Sequence, residues 1–353
     1  MGDSQSQTSN DFVPPNFEAH IRPSNVVSMN PDLPPWRTRV QEFGREYGAY
    51  RLGQYLLPHD EAETRRMDMV HTLLKVIRPK ARRLTEVPHE ILQIRTDGWD
   101  DRPRRPRVLD LGCGTGVWVI EMSTAFKDAE FRGVDIFFQG PPNPSDSVDY
   151  TVPWDYEGPW ALGEASWDLI HLGMGLGSVS NWDSLFQKIL VHLVPGGYFE
   201  WVEFDFEPRC DDGTLQQGKL KEWWELYIKT TFEAAGRRLH WDPTVDDTLR
   251  RIGFRDLSHV VFQIPLNTWG KPDDYMGRMS RWWHTMMGPD HDGGGAHGLE
   301  ALTLAPMCRF HGWRADHVQR LCAEALAQAA DTDVHVYNQI HIITARAPRL
   351  NES

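Results

Sequence analysis

The sequence predicts an α/β fold: a doubly wound, mostly parallel seven-stranded sheet with an N-terminal helical lid and a helical insertion before the last strand. Three observations predict it. Strand-like and helix-like segments alternate from residue 107 to residue 204. A glycine-rich turn joins the first of these strands to its helix. A long block of helical pattern separates two late strand-like segments.

Residues 1–37 are rich in Ser, Asn, Pro and Gln and hold too few aliphatic side chains to offset the entropy of ordering, so a disordered tail is expected. Residues 38–105 are assigned to the lid and its connection. Within them, Pro58-His59-Asp60 opens a segment with Met67, Val70, Leu74 and Ile77 at three- and four-residue spacing, an amphipathic helix packed on the core. Pro79 to Arg105 mixes Pro, Gly and charge and reads as a connection. The core is placed at 106–266. It begins with strand Arg107–Leu111, helix Val117–Phe126 and strand Phe131–Ile136, and a third strand precedes Pro153-Trp154-Asp155-Tyr156. After strand Trp167–Leu172 comes a helix capped by Ser180, with Leu185, Phe186, Ile189, Leu190 and Leu193 on one face. Pro195-Gly196-Gly197 stops it before strand Tyr198–Phe204, and Phe254–Ile264 is a later strand. Residues 267–330 form the helical cap, with patterns near Asp273–Met287 and Ala315–Ala329 around the loop Asp292-Gly293-Gly294-Gly295. Residues 331–348, with Val334 to Ala345, close the sheet.

Composition narrows the function. A net charge of −13 opposes unaided binding to a phosphate backbone, so no direct nucleic-acid contact is expected. The four cysteines lie far apart without zinc spacing, and there is neither a basic-then-apolar leader nor an apolar run long enough to span a membrane. A soluble intracellular protein is expected. The tract Arg102 to Arg107 (RPRRPR) reads equally as a nuclear import signal or a solvated loop. His284, His291 and His297 flank a Gly-rich loop without carboxylates or thiols at defined spacing, and no metal is assigned. Trp223-Trp224 and Trp282-Trp283 are adjacent pairs on helical patterns. Neighbours on a helix diverge by about 100°, so one ring of each pair is expected to face a groove or a partner.

The informative stretch is Val108-Leu109-Asp110-Leu111-Gly112-Cys113-Gly114-Thr115-Gly116. Glycines allow a tight strand-to-helix turn and let a ligand approach the backbone. A dinucleotide loop spaces its glycines G-x-G-x-x-G to hold a pyrophosphate. Here they fall as G-x-G-x-G, with the acid Asp110 two residues ahead of the first. A carboxylate there repels a pyrophosphate but suits a ligand bearing an ammonium and a sulfonium. Asp135 follows Gly116 by 19 positions at the edge of the next strand, where it can accept from a ribose diol. Asp155 is placed to hold an adenine amino group, with a flanking ring to stack on the base. The pattern predicts a class I, Rossmann-like methyltransferase using S-adenosylmethionine, with S-adenosylhomocysteine as product. The expected cofactor residues are Asp110, Gly112, Cys113, Gly114, Thr115, Gly116, Asp135, Ile136, Asp155, Tyr156 and Tyr55. Tyr47, Tyr50, Arg51 and Tyr55 are read either as a lid over the cofactor or as core. His171, at the end of the fourth strand, is the candidate base if the acceptor is an oxygen or a protonated amine; a hydrogen-bonded structural histidine is the competing reading.

Taken together, Asp110 to Gly116, Trp154-Asp155-Tyr156-Glu157-Gly158-Pro159-Trp160, Ser166 to Leu172 and Val202-Glu203-Phe204-Asp205-Phe206-Glu207-Pro208-Arg209-Cys210-Asp211-Asp212 resemble the LaeA-type methyltransferases of filamentous fungi. The resemblance extends to Arg45-Glu46-Tyr47, Arg51, Gly53, Tyr55 and Leu57-Pro58, and to Ala305-Pro306 and His335-Val336-Tyr337-Asn338, covering roughly residues 40–348. It departs from that pattern in Pro79 to Arg105 and Pro289 to Gly298. The resemblance implies a nuclear regulator of secondary metabolism and development, shuttling with the cytoplasm in some settings and working with velvet-domain or other regulatory or anchoring proteins. Three functions stay open at this point: a protein methyltransferase in a regulatory complex, a small-molecule methyltransferase of a biosynthetic pathway, and a cofactor-binding scaffold.

Overall fold

A computed structural model describes residues 27–28, 38–51, 53–78, 84–94, 103–137, 139–140, 147–269, 274–289 and 295–352. The first described pieces are strands: β1 (Val27–Ser28), β2 (Arg39–Glu42) and β3 (Arg45–Gly48) form a small antiparallel sheet. The lid therefore begins as a β-hairpin rather than a helix, and the tail contributes one short strand to it. Phe43-Gly44 makes the two-residue hairpin turn with both φ positive, at 55° and 80°, the geometry that matches strand twist.

Helix α1 (Glu61–Ile77) starts where the sequence places it. Asp60 caps it by accepting from Glu63 N at 3.0 Å, and Arg45 grips the same carboxylate at 2.5 and 2.8 Å, tying hairpin to helix. Its buried face holds Val70, Leu73 and Ile77 but also Glu63, Arg66 and His71, while Met67 and Leu74 are half-buried. The core then runs β4 (Arg107–Leu111), α2 (Val117–Ala125), β5 (Glu130–Val134), β6 (Val148–Thr151), β7 (Trp167–Gly173), α3 (Trp182–His192) and β8 (Leu193–Arg209). The cap of α3 is Asn181, accepting from Ser184 N at 2.9 Å, not Ser180; Ser180 instead donates to Glu157.

After β8 comes one long helix made of α4 (Lys219–Glu222), a π-helical stretch (Trp223–Ile228) and α5 (Lys229–Ala234). Then follow α6 (Val245–Ile252), β9 (Arg255–Pro265), α7 (Tyr275–Met287), α8 (Gly298–Ala305) with its π-helical end (Pro306–Phe310), α9 (Ala315–Ala330) and β10 (Tyr337–Arg346). The main sheet has the order β6-β5-β4-β7-β8-β10-β9. It is parallel from β6 through β8, and β10 pairs antiparallel with both β8 and β9. The seven-stranded, doubly wound prediction stands.

Strands β4, β7 and β8 are buried on both faces and mostly apolar, as a sheet covered on two sides requires. Leu109, Ile170, Trp201 and Ile343 pack with the α3 and α6 side. Val202, Phe204 and Ile342 join α1, α7, α8, α9 and the Lys219–Ala234 helix in one large core. That helix lies between two core strands in sequence, yet it packs against α9 of the cap. Trp223 and Trp224 are both buried, correcting the expectation that one ring faces outward: elements close over both sides of this helix, and its wide π turn redistributes side chains around the axis. Trp283 is buried and Trp282 half-buried, as expected for a helix covered on one side. The Gly-rich loop from Asp292, apart from Gly295, lies outside the described residues, as does His291. No helix among the described residues is long and apolar enough to cross a membrane.

The arginine tract is part of the sheet's foundation. Arg104 forms two bonds to the fully buried Asp168, at 2.8 and 2.5 Å. Arg105 donates to the carbonyls of Lys127 and Asp128 after α2, and Arg107 lies 4.3 Å over the Trp167 ring. Arg102 is outside the described residues.

Candidate active site

Strand β4 ends in a turn whose glycines all take positive φ: 67° at Gly112, 53° at Gly114 and 74° at Gly116. Gly112 N and Cys113 N both donate to Val134 O of β5, at 2.9 and 3.0 Å, folding the loop over the strand ends before α2 begins. A Cβ on Gly112 would meet Tyr156, and one on Gly114 would meet Met67 Sδ, each at 3.3 Å. The bare backbone is thus the floor of a cavity of about 190 Å³, lined mainly by apolar atoms. Ten of the eleven predicted cofactor residues reach this cavity: Asp110, Gly112, Cys113, Gly114, Thr115, Asp135, Ile136, Asp155, Tyr156 and Tyr55. The eleventh, Gly116, caps α2 beside Tyr150.

Asp135 is the best-defined anchor. Its Oδ2 accepts from Gly114 N at 2.8 Å and its Oδ1 from Phe137 N at 3.0 Å, which leaves further lone pairs on both oxygens for a diol. Burial pushes its carboxyl up to about 6, with the backbone donors pulling the other way. Thr115 and Cys113 serve the loop. Thr115 Oγ1 donates to Asp68 of α1 at 2.9 Å, and Cys113 is buried against Gly133, with its thiol raised well above the ordinary range by burial. Tyr55 stacks on His59, 5.2 Å between ring centres, and His59 stacks on Phe137 at 4.4 Å. Tyr55 lines the cavity, while Tyr47 is buried core.

Asp155 borders the cavity but is already engaged: Arg51 pairs with its Oδ2, and Glu157 N donates to its Oδ1 at 2.8 Å. The ring beside it in the cavity is Tyr156, whereas Trp154 packs on Trp160. His171 lies two residues before the end of β7, in register with Asp110 on β4 and Glu200 on β8. Its Nδ1 is 2.9 Å from Asp110, its Nε2 is 3.9 Å from Glu200, and its ring stacks on Trp118 at 3.7 Å. The imidazole borders the cavity floor as one link in a buried row of carboxylate, imidazole and carboxylate.

The sequence expectation missed the side chains that α1, the β7–α3 loop, β8, the α5–α6 loop and the cap bring in: Arg66, Met67, Met174, Glu203, Phe206, Leu239 and Leu302. Glu203 is buried and accepts from Leu176 N at 2.9 Å, Trp201 Nε1 at 3.1 Å and Phe204 N at 3.1 Å, which ties β8 to the loop after β7. Burial pushes its carboxyl up to about 8. One signal was available, an acid inside the apolar run of β8.

The donor set fits S-adenosylmethionine. Backbone without side chains can back the amino-acid portion, Asp110 suits its positive charges, Asp135 the ribose, and Tyr156 a base; bound there, the group supplies an electrophilic methyl. Comparison with known proteins agrees. A methyltransferase-domain family model matches residues 81–331. The secondary metabolism regulator laeA of Aspergillus fumigatus is 38% identical over 328 residues, spanning 93% of this chain and 81% of that protein. The protein-methionine methyltransferase laeA of Emericella nidulans is 38% identical over 308 residues, 87% of this chain and 76% of its own length. A solved phosphoethanolamine N-methyltransferase 2 of Haemonchus contortus, in complex with S-adenosyl-L-methionine, aligns with a TM-score of 0.41 at 14% identity over 69% of this chain and 49% of that one. The chain belongs to the methyltransferase-domain family and, within it, to the LaeA regulators of secondary metabolism, with S-adenosylmethionine as its cofactor.

Proposed function

We propose that the chain is a nuclear regulatory methyltransferase whose acceptor is a methionine side chain of a protein, presented within a complex with a velvet-domain or other regulatory protein. The observation that carries the acceptor is the cavity beyond the glycine loop. Leu57, Met174, Val202, Phe206, Leu239 and Leu302 make an apolar chamber suited to an unbranched thioether. A thioether sulfur carries no proton, so transfer to it needs alignment and exclusion of water rather than a base. The likeness to the protein-methionine methyltransferase of Emericella nidulans supports the same acceptor. In this reading Tyr55, Asp135 and Tyr156 hold the donor, and Met174 and Leu302 border the acceptor.

The test is to incubate the purified chain with methyl-labelled S-adenosylmethionine and its co-purifying proteins, then map the label by tandem mass spectrometry. Label on a protein methionine is expected; label confined to small molecules would overturn the acceptor. A fluorescent fusion followed through development tests the nuclear assignment, which fails if the signal never enters the nucleus.

The Asp110–His171 pair favours a second reading, in which His171 accepts a proton from an oxygen or amine acceptor. Label on Lys, Ser or a hydroxylated metabolite, abolished by His171→Asn, would select it.

A further inference from the structure

We propose that Arg66 of α1 binds the α-carboxylate of S-adenosylmethionine and that Glu63 aims it there, making this helix part of the cofactor site. The inference rests on the cofactor reading and adds a residue class to it. The glycine loop, Asp110, Asp135 and Tyr156 account for the positive charges, the ribose and the base, but they leave the one negative group of this cofactor without a cation.

Arg66 meets three requirements. It is buried and lines the same cavity as the glycine loop. Its Nε and Nη2 are occupied by Glu63, at 2.9 and 2.6 Å, and among the described residues no hydrogen bond engages Nη1. A carboxylate can therefore take the free edge of the fork while Glu63 holds the other, the planar recognition for which guanidinium is suited. Third, its turn of α1 lies on the loop: Met67 Sδ sits 3.3 Å from where a Cβ of Gly114 would be, and Asp68 accepts from Thr115. Tyr55, Arg66 and Asp135 all line this one cavity.

Other cations bordering the cavity are committed elsewhere. Arg237 is bonded to Glu157 and the Ser178 carbonyl, Lys75 to Glu121, and Arg78 pairs with Glu86 and Glu200 at 3.5 and 3.7 Å. Arg66 is also fixed from behind, because Gly298 of α8 leaves only enough room for its stem: a Cβ there would come within 3.0 Å of Arg66 Cδ. The cap thus sets the angle at which the guanidinium enters the cavity.

The test measures binding, independent of turnover. Calorimetric titration compares S-adenosylmethionine with decarboxylated S-adenosylmethionine, which lacks only the carboxylate, and with 5′-methylthioadenosine, which lacks the whole amino-acid portion. Wild-type protein is expected to prefer the carboxylated ligand by about 10- to 100-fold, the range for a charge-assisted hydrogen bond. Arg66→Gln should erase that preference while leaving 5′-methylthioadenosine affinity within about twofold. If Arg66→Gln fails to bind 5′-methylthioadenosine, the fold is at fault, and the paired variant Glu63→Gln with Arg66→Gln, which strands no buried charge, is read in the same way. A preference that survives in the folded variant refutes the assignment and gives Arg66 to the acceptor or to structure. Wild-type protein that binds none of the three ligands refutes the cofactor reading itself.

Discussion

Acidification should weaken cofactor binding through Asp135 while stabilising the free protein, because burial holds this carboxyl at about 6 against 3.8 in the open chain. A raised folded value means that ionising Asp135 costs more in the fold than in the unfolded chain. The difference of about two units corresponds to about 3 kcal/mol at 1.36 kcal/mol per unit. The stability that Asp135 contributes is therefore complete below about pH 4 and is lost as pH rises through about 6. Binding runs the other way, since the ribose hydroxyls need the ionised acceptor. At pH 5 roughly one carboxyl in ten is ionised, so affinity for S-adenosylhomocysteine should be about tenfold weaker than at pH 7.

Titration calorimetry between pH 5 and 7 measures this directly, in a window that avoids the ligand's own carboxyl and amino groups. Asp135→Asn should bind about 10- to 100-fold more weakly at pH 7 and show a flat profile, because its amide does not titrate and offers only one acceptor atom to Gly114 N, Phe137 N and the diol. An unchanged pH slope in Asp135→Asn would refute the reasoning and move the titration to another group.

Gly114→Val should abolish cofactor binding yet leave the protein folded, at a cost of about 1–2 kcal/mol for a side chain at φ 53°; retained affinity in calorimetry sinks the site. Arg104→Ala should cost about 1–2 kcal/mol in urea unfolding, because it removes both Arg104 bonds to the buried Asp168, which keeps the Arg107 backbone N–H at 2.9 Å, with a discount for the exposure of the arginine; a loss under about 0.5 kcal/mol would make the tract decorative. Glu203, held at about 8 by burial, predicts melting temperatures that fall as pH rises from 7 to 9. Glu203→Gln should remove that slope but lower stability by about 1–3 kcal/mol, since an amide nitrogen would face a backbone N–H; a slope that persists refutes the role.

The parts of the site that were legible are those whose chemistry is local. A glycine that must hold a positive φ at a strand end cannot be replaced by a later fold-level compensation, so Val108 to Gly116 announce their turn from nine residues of sequence. Asp135 was legible because the next parallel strand ends one crossover later, beside the loop it braces. The hairpin Arg39–Gly48 was not, because its turn, Phe43-Gly44, lacks the usual Asn-Gly or Asp-Gly signal and its alternation lasts only four residues per strand. The cap of α3 was misplaced by one residue because Ser180 and Asn181 are both good caps, and only Glu157, 23 positions away, decides which hydroxyl is otherwise employed.

Helix α1 shows why the rest of the site stayed hidden. Its apolar spacing identified the helix, but Met67 and Leu74 from that spacing border the cavity half-buried, while Glu63, Arg66 and His71 are interior. Read by period alone, those three polar residues belong to solvent. They are tolerated inside only because each has a partner, Arg66 for Glu63 and Glu121 for His71, and because the space beside them is a cavity rather than packed core. A helix whose buried face carries polar residues breaks the local rule that the rest of this chain obeys, and such conflicts concentrate where a protein gives up packing for binding. The same logic picks out Glu203 among the apolar residues of β8 and the row of Asp110, His171 and Glu200 beneath the loop. The candidate site of this chain gathers buried polar groups that the hydrophobic pattern fails to explain, from three strands and one helix that sequence order keeps apart.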